Sequence, residues 1–199
     1  MATQHKVITF HITIDGIDPP VWRKVALDGD MTLRTLHHVI QAAFGWTDAH
    51  LHEFVVEEQT YSMLDNDNVL DMIEELDQIP SDDRKAKLQR LVYPGQTFTY
   101  LYDFGDSWSH VIKVETVEPR MQKIGAAYII DGGRAGPPED VGGVYGYQEF
   151  LDTIKNRRRS QEAQDYLQWV GGEFDPEAFD RRIANNALLR MAWNGWGKK

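Results

Sequence analysis

Asp103, Asp106 and His110 place two carboxylates and an imidazole in one short stretch, and a later segment rich in Gly and Pro adds Glu139 and Asp140. Brought together, such groups hold a divalent cation or pass protons, because carboxylate oxygens and a neutral imidazole are both ligands and bases. On that reading Asp103, Asp106, His110 and Glu139 are the candidate catalytic set of a metal-dependent hydrolase. A plainer reading competes with it. Asp106 can close an Asx-type turn, Asp103 can bond backbone, and Pro137-Pro138-Glu139-Asp140 can cap a helix. His50 and His52, two residues apart, project from one face if they lie in a strand, a usable His-x-His pair. With Asp106 and His110 they complete the candidate metal ligands, against the alternative of histidines hydrogen-bonded locally. His37 and His38 are adjacent on a helix and point in different directions, so only one of them can join a site.

A second group suggests recognition rather than reaction. Trp22, Arg23, Trp46, Tyr102 and Trp108, with Asp140, have the residue types that dominate binding surfaces. Packing in the core is the equal alternative. Arg157-Arg158-Arg159 after Lys155 reads as a solvated connection between helices. The Gly-rich segment lacks the Gly-Lys-Ser/Thr of a phosphate-binding loop, and no nucleophile elbow is present.

These residues need elements to hold them. Phe98, Tyr100, Tyr102 and Phe104 fall at every second position, Gly105-Asp106 supplies a turn, and Trp108, His110, Ile112 and Val114 resume the alternation, which predicts a β-hairpin with an aromatic inner face. Val7 to Ile14 and Val21 to Leu27 predict two earlier strands around the turn Asp15 to Pro20, with Val21, Arg23, Val25 and Leu27 on one face. Thr32 is placed to cap a helix carrying Leu33, Leu36, Val39, Ile40, Ala43 and Phe44 on its inner stripe, ended by Gly45. His50 to Tyr61 is strand-like. Residues 65–92 predict a helical insertion, with Val69, Met72, Ile73 and Leu76 in a first helix, a break at Pro80-Ser81, and Leu88 and Leu91 in a second. Three C-terminal helices follow: Tyr147 to Asn156, Gln161 to Val170, and one capped by Asp175 with Pro176 at its first position and Phe179, Ile183, Ala187 and Leu188 inward.

Strand, strand, helix, strand is the opening order of β-grasp folds. The expectation is therefore an α+β chain: a β-grasp-like mixed sheet with one packed helix, a helical insertion and a C-terminal set of three helices. One domain over residues 1–199 is expected, sheet-rich through 118, a Gly/Pro loop over 119–146 and helical over 147–193. With 199 residues and 42% hydrophobic content the chain can build a core without metal or disulfide. It has no cysteine, which removes thiol nucleophiles and thiolate metal sites and fits a reducing compartment. No apolar run suits a signal peptide or a membrane span, so a cytoplasmic location is expected, with no membrane partner. The net charge of −10 disfavours direct nucleic-acid binding, leaving a protein or small ligand as partner and a divalent metal as the one cofactor suggested.

A family resemblance is carried by Pro20-Val21-Trp22-Arg23-Lys24, Leu33 to His37, Phe44-Gly45-Trp46, His50-Leu51-His52-Glu53-Phe54 and Tyr102 to His110. It continues through Pro137 to Gly143, Gly146-Tyr147, Phe174-Asp175-Pro176-Glu177 and Phe179-Asp180. Over nearly its whole length the chain resembles the Ri-plasmid open-reading-frame-three-like proteins, some of them associated with insertion sequences. The leading expectation is a non-enzymatic binding or accessory module whose aromatic hairpin and Gly/Pro loop form a ligand- or partner-binding face. The resemblance adds a link to plasmids and mobile elements and no particular chemistry. Cysteines that flank the Gly-rich loop in such proteins correspond here to Ile129 and Gly136, so no thiol-based role carries over.

Overall fold

The computed structural model describes residues 4–64 and 79–195. Strands β1 (His5–Ile14) and β2 (Trp22–Asp28) pair antiparallel, and α1 (Leu33–Phe44) follows. Next come β3 (His52–Val56), β4 (Gln59–Ser62), β5 (Ser81–Asp82) and the single-turn α2 (Leu88–Leu91). Strands β6 (Thr97–Tyr102), β7 (Trp108–Arg120) and β8 (Tyr128–Gly133) complete the sheet. Helices α3 (Gly143–Asn156), α4 (Gln161–Trp169) and α5 (Arg181–Trp193) close the described chain. The eight strands form one sheet in the order β5-β4-β3-β6-β7-β1-β2-β8. It is mixed through one parallel pair, β4 with β5, and the other pairings are antiparallel. This is an α+β architecture.

Alternation decides the inner face. Ile8, Phe10, Ile12 and Ile14 from β1, Val25 and Leu27 from β2, Phe54 from β3, and Phe98, Tyr100 and Tyr102 from β6 are buried together with Trp108, Ile112 and Val114 from β7. Helix α1 lays Leu33, Leu36, Val39, Ile40, Ala43 and Phe44 on this layer. The Thr32 hydroxyl accepts from the Thr35 amide, and Gly45 ends the helix at φ 89° with its N–H on the Gln41 carbonyl.

Arg23 sits on the inner face with the apolar residues of β2 and is only 3% exposed. Its Nε donates to the Ala43 carbonyl at 2.8 Å and its Nη1 to the Trp22 and Gly133 carbonyls, while the guanidinium lies over the Phe44 and Phe179 rings. A cation is thus placed at the carbonyl end of α1, where the helix dipole favours it. Burial lowers its pKa to about 10, so it stays charged at neutral pH. The β8 edge is covered by α5: the Asn185 side chain accepts from the Ile129 N–H at 2.8 Å and donates to the Ile129 carbonyl at 3.0 Å. That amide fills the place of a neighbouring strand.

Several expectations are corrected. His50 to Tyr61 is a hairpin, because Glu57 adopts a positive φ of 57° and turns β3 into β4. The Gly/Pro segment over 119–146 contains β8, whose Gly132 and Gly133 pair with Arg23 and Trp22. Of the helical insertion, the stretch with Val69, Met72, Ile73 and Leu76 lies outside the described residues, Pro80-Ser81 leads into β5, and Leu88 and Leu91 form α2. Phe104 leaves the aromatic face, since β6 ends at Tyr102 and residues 103–107 make a wider connection. The last helix is capped by Asp180, whose carboxylate takes the Arg182 and Ile183 amides, and this rotation leaves Ile183 exposed.

Candidate metal centre

Three connections meet at one end of the sheet: residues 45–51 after α1, residues 103–107 between β6 and β7, and residues 134–142 before α3. The third is pinned to the other two at several points. The Trp46 indole N–H donates to the Pro137 carbonyl at 3.0 Å. Glu139 accepts from the Tyr102 hydroxyl and from the amide and hydroxyl of Thr47. The Gly142 amide donates to the Asp106 carboxylate at 3.0 Å. Two glycines permit the close approach: a Cβ on Gly136 would stand 2.0 Å from the Phe44 carbonyl oxygen, and one on Gly143 2.4 Å from that of Asp106. The Gly/Pro segment therefore folds over the hairpin, as the joint grouping of Glu139 and Asp140 with Asp103 anticipates.

At this meeting point His50 Nε2 lies 2.8 Å from Asp140 Oδ1 and 3.6 Å from Asp103 Oδ2. One ligand atom from each residue falls within 4.8 Å of the others. Asp103 is nearly buried, His50 is partly open and Asp140 faces solvent. A second carboxylate oxygen of Asp103 takes the Gly105 amide, which fixes its orientation. Asp103 and Asp140 both hold left-handed backbone, at φ 56° and 59°. Aspartate tolerates that region better than most residues, and such conformations gather where a fold re-aims side chains.

Beneath lies a polar network that sequence reasoning missed. His37 Nε2 is 2.7 Å from Asp48 Oδ1, and His37 Nδ1 is 2.8 Å from the Tyr100 hydroxyl. Gln41 Nε2 donates to the Tyr100 oxygen, and the Asp48 amide donates to Gln41 Oε1. With the proton on Nε2 the four residues close a ring in which each donates once and accepts once. His38 Nδ1 reaches the other Asp48 oxygen at 3.3 Å, so both adjacent histidines meet one carboxylate, against expectation. They do so because Asp48, at φ 61°, brings the chain back over the end of α1. His52 stacks on His37 with ring centroids 3.6 Å apart and bonds to Asp83, which also receives the Arg34 guanidinium.

Burial holds His37 neutral, lowering its pKa to about 3, and lowers that of His52 as well. The Asp48 carboxyl is itself costly to bury, yet its histidine hydrogen bonds bring it well below the usual carboxylate range. His52 and Arg34 likewise overcome burial at Asp83 and hold it at about 2. Burial also pushes the Tyr102 phenol up, and Glu139 beside it acts in the same direction.

The expected residues are thus divided. His50, Asp103 and Asp140 converge. His52 does not join His50, because β3 begins only at His52 and its ring turns into the core toward Asp83. His110 is wholly buried among Phe44, Trp46 and Tyr100, its Nδ1 bonded to the Trp108 carbonyl, and takes no part in the surface cluster. Asp106 serves the Gly142 amide, and Glu139 serves Tyr102 and Thr47. The aromatic group forms no groove: Trp46, Tyr102 and Trp108 pack on one another in the core. Trp22 lies on the opposite sheet face stacked on His11, since alternation sends it away from Arg23.

An α+β protein with an open eight-stranded sheet and a His–Asp–Asp cluster at one end is the class these observations define. The chain belongs to the plasmid pRiA4b ORF-3-like protein family, whose model matches residues 6–183. It is 35% identical over 196 residues to the uncharacterised protein y4hQ of Sinorhizobium fredii, covering 97% of this chain and 95% of that protein. It is also similar to the crystal structure of MM3350, a protein of unknown function from Methanosarcina mazei Go1. That match has a TM-score of 0.76 and 32% identity over 90% of this chain and 98% of the other. No helix among the described residues is long and apolar enough to cross a membrane.

Proposed function

We propose that this protein is a non-enzymatic binding module whose working site is a divalent-cation centre formed by His50, Asp103 and Asp140. The observation that carries the reading is the convergence of one imidazole nitrogen and two carboxylate oxygens, from three separate connections, within 4.8 Å of one another. One nitrogen and two oxygens suit a first-row divalent ion such as Mn²⁺ or Zn²⁺. Three protein ligands leave coordination positions open on the solvent side, where Asp140 is exposed. An oxygen donor of a small ligand or partner protein fits there, and the acidic net charge of −10 favours such an ion-bridged contact over direct contact with nucleic acid. The cation also neutralises two carboxylates and clamps residues 134–142 to the sheet. A cytoplasmic setting and a role beside plasmid or mobile-element proteins are part of this proposal, as is one domain for the whole chain.

Against the hydrolase reading stand the burial of His110 and the engagement of Asp106 and Glu139 in structural hydrogen bonds, which occupy three of its four candidate catalytic residues away from the cluster. The test is calorimetric titration of the untagged, metal-stripped chain with Mn²⁺. One equivalent should bind, and Asp140→Asn should weaken it at least tenfold without moving the melting temperature of the cation-free protein. Equal binding by wild type and variant would overturn the assignment.

A further inference from the structure

The geometry points to a second cation site, of zinc type, where the connection after α1 folds back on the helix, with His37 Nε2, His38 Nδ1 and Asp48 as its ligands. The donor atoms of these three residues also lie within 4.8 Å of one another, and the two clusters share no residue. Two imidazole nitrogens and one carboxylate oxygen form a softer set than that of the surface centre, and imidazole selects Zn²⁺ over Mg²⁺ or Ca²⁺. Asp48 already spans the pair, 2.7 Å from His37 and 3.3 Å from His38. Tetrahedral zinc with bonds of about 2.0–2.1 Å sets its ligand atoms roughly 3.3 Å apart, a spacing that lies within the range of separations in this cluster.

The surroundings resemble those that orient metal ligands. A ligating histidine turns its other nitrogen to a fixed partner, and here that partner is the Tyr100 hydroxyl, itself held by Gln41. The Asp48 backbone is tied to the same Gln41 side chain. Zinc binding requires a tautomer change at His37. The ring proton leaves Nε2, which bonds the metal, and resides on Nδ1, where it donates to the Tyr100 oxygen. That hydrogen bond reverses, so the hydroxyl proton turns away from the ring, and His38 carries its own proton on Nε2 to leave Nδ1 for the ion. No net proton is lost from the neutral ring. His52 stacks on His37 and bonds to Asp83, which also takes the Arg34 guanidinium, so the His37 ring is held in place from its face. The partly exposed Asp48 side chain gives the ion a route in and leaves the fourth position for water or a ligand.

Cobalt reports the coordination number. The full chain, metal-stripped, is titrated with Co²⁺ and followed in the visible. The expected result is one intense low-coordinate band, discharged by one equivalent of Zn²⁺, retained in Asp140→Asn and lost in Asp48→Asn, with Zn²⁺ affinity of that variant down roughly a hundredfold. Asparagine also favours the left-handed backbone at position 48, so this variant is compatible with the fold. His38→Gln provides an independent loss of the same band, and circular dichroism verifies folding of each variant. Only a weak six-coordinate band, an intense band surviving both substitutions, or one lost in Asp140→Asn would overturn the site.

Discussion

Lowering the pH from 7 to 5 should destabilise this protein far more than its surface charge explains, and the cause is buried imidazole. His37 and His110 are both wholly buried, with pKa lowered by burial to about 3 and about 4. The sign follows from proton counting. In the unfolded chain each ring has its ordinary pKa near 6.5, so below that value the unfolded state takes up a proton that the folded state refuses. The stability these rings contribute is therefore complete above pH 6.5 and is lost as the pH falls toward their folded values. At pH 5 the loss per ring is RT ln(1 + 10^1.5), about 2 kcal/mol, so the two together remove about 4 kcal/mol. That is a large share of the roughly 5–15 kcal/mol typical of a folded domain. His52, also lowered, adds a loss of the same sign. Asp48 and Asp83, held below the usual carboxylate range, retain their stabilisation through this window and lose it only at lower pH. The assay is urea unfolding at pH 7 and pH 5 with chelator present, for wild type and His110→Phe. The wild-type midpoint should fall steeply and the variant should lose about 2 kcal/mol of that pH dependence. Identical midpoints at the two pH values, or an unchanged pH dependence in His110→Phe, would refute the reasoning.

Asn185→Ala removes both side-chain bonds to Ile129 at the β8 edge and should cost about 1–3 kcal/mol in chemical unfolding, with increased self-association as the edge opens. Gly143→Ala should destabilise by at least about 1–3 kcal/mol, because the residue holds φ 67° and its Cβ would meet the Asp106 oxygen. The same change should weaken Mn²⁺ binding by displacing Asp140, which calorimetry reads. Arg23→Lys should lower the melting temperature clearly, since an ammonium cannot reproduce the fork to Ala43, Trp22 and Gly133 or the stack between Phe44 and Phe179.

The sheet was largely legible because alternation is a local signal. Phe98, Tyr100, Tyr102, Trp108, His110, Ile112 and Val114 all face inward as the pattern requires, and Arg23 does so despite its charge. The approach of Glu139 and Asp140 to the hairpin was legible from their residue types. Strand β8 was not, because its Gly132-Gly133 reads as loop. In the fold those glycines make room for large neighbours: a Cβ would stand 2.6 Å from the Phe179 ring and 2.5 Å from the Trp22 indole nitrogen. That requirement belongs to the packing and leaves no periodic trace. The two stacked His–Asp pairs were hidden for the same reason. Asp48 reaches His37 through a left-handed turn after the end of α1, and Asp83 reaches His52 from β5 and beyond, so neither partner is marked by spacing. His50 and His52 share a face only if the strand starts at His50, and β3 starts at His52.

The most direct test of the cation centre is anomalous diffraction from a crystal grown with Mn²⁺. The account predicts one anomalous peak about 2.1–2.3 Å from His50 Nε2 and from one carboxylate oxygen each of Asp103 and Asp140, with further ligands on the solvent side. A well-ordered structure with those three side chains in place and no peak between them, at a Mn²⁺ concentration that saturates the titration, would contradict it.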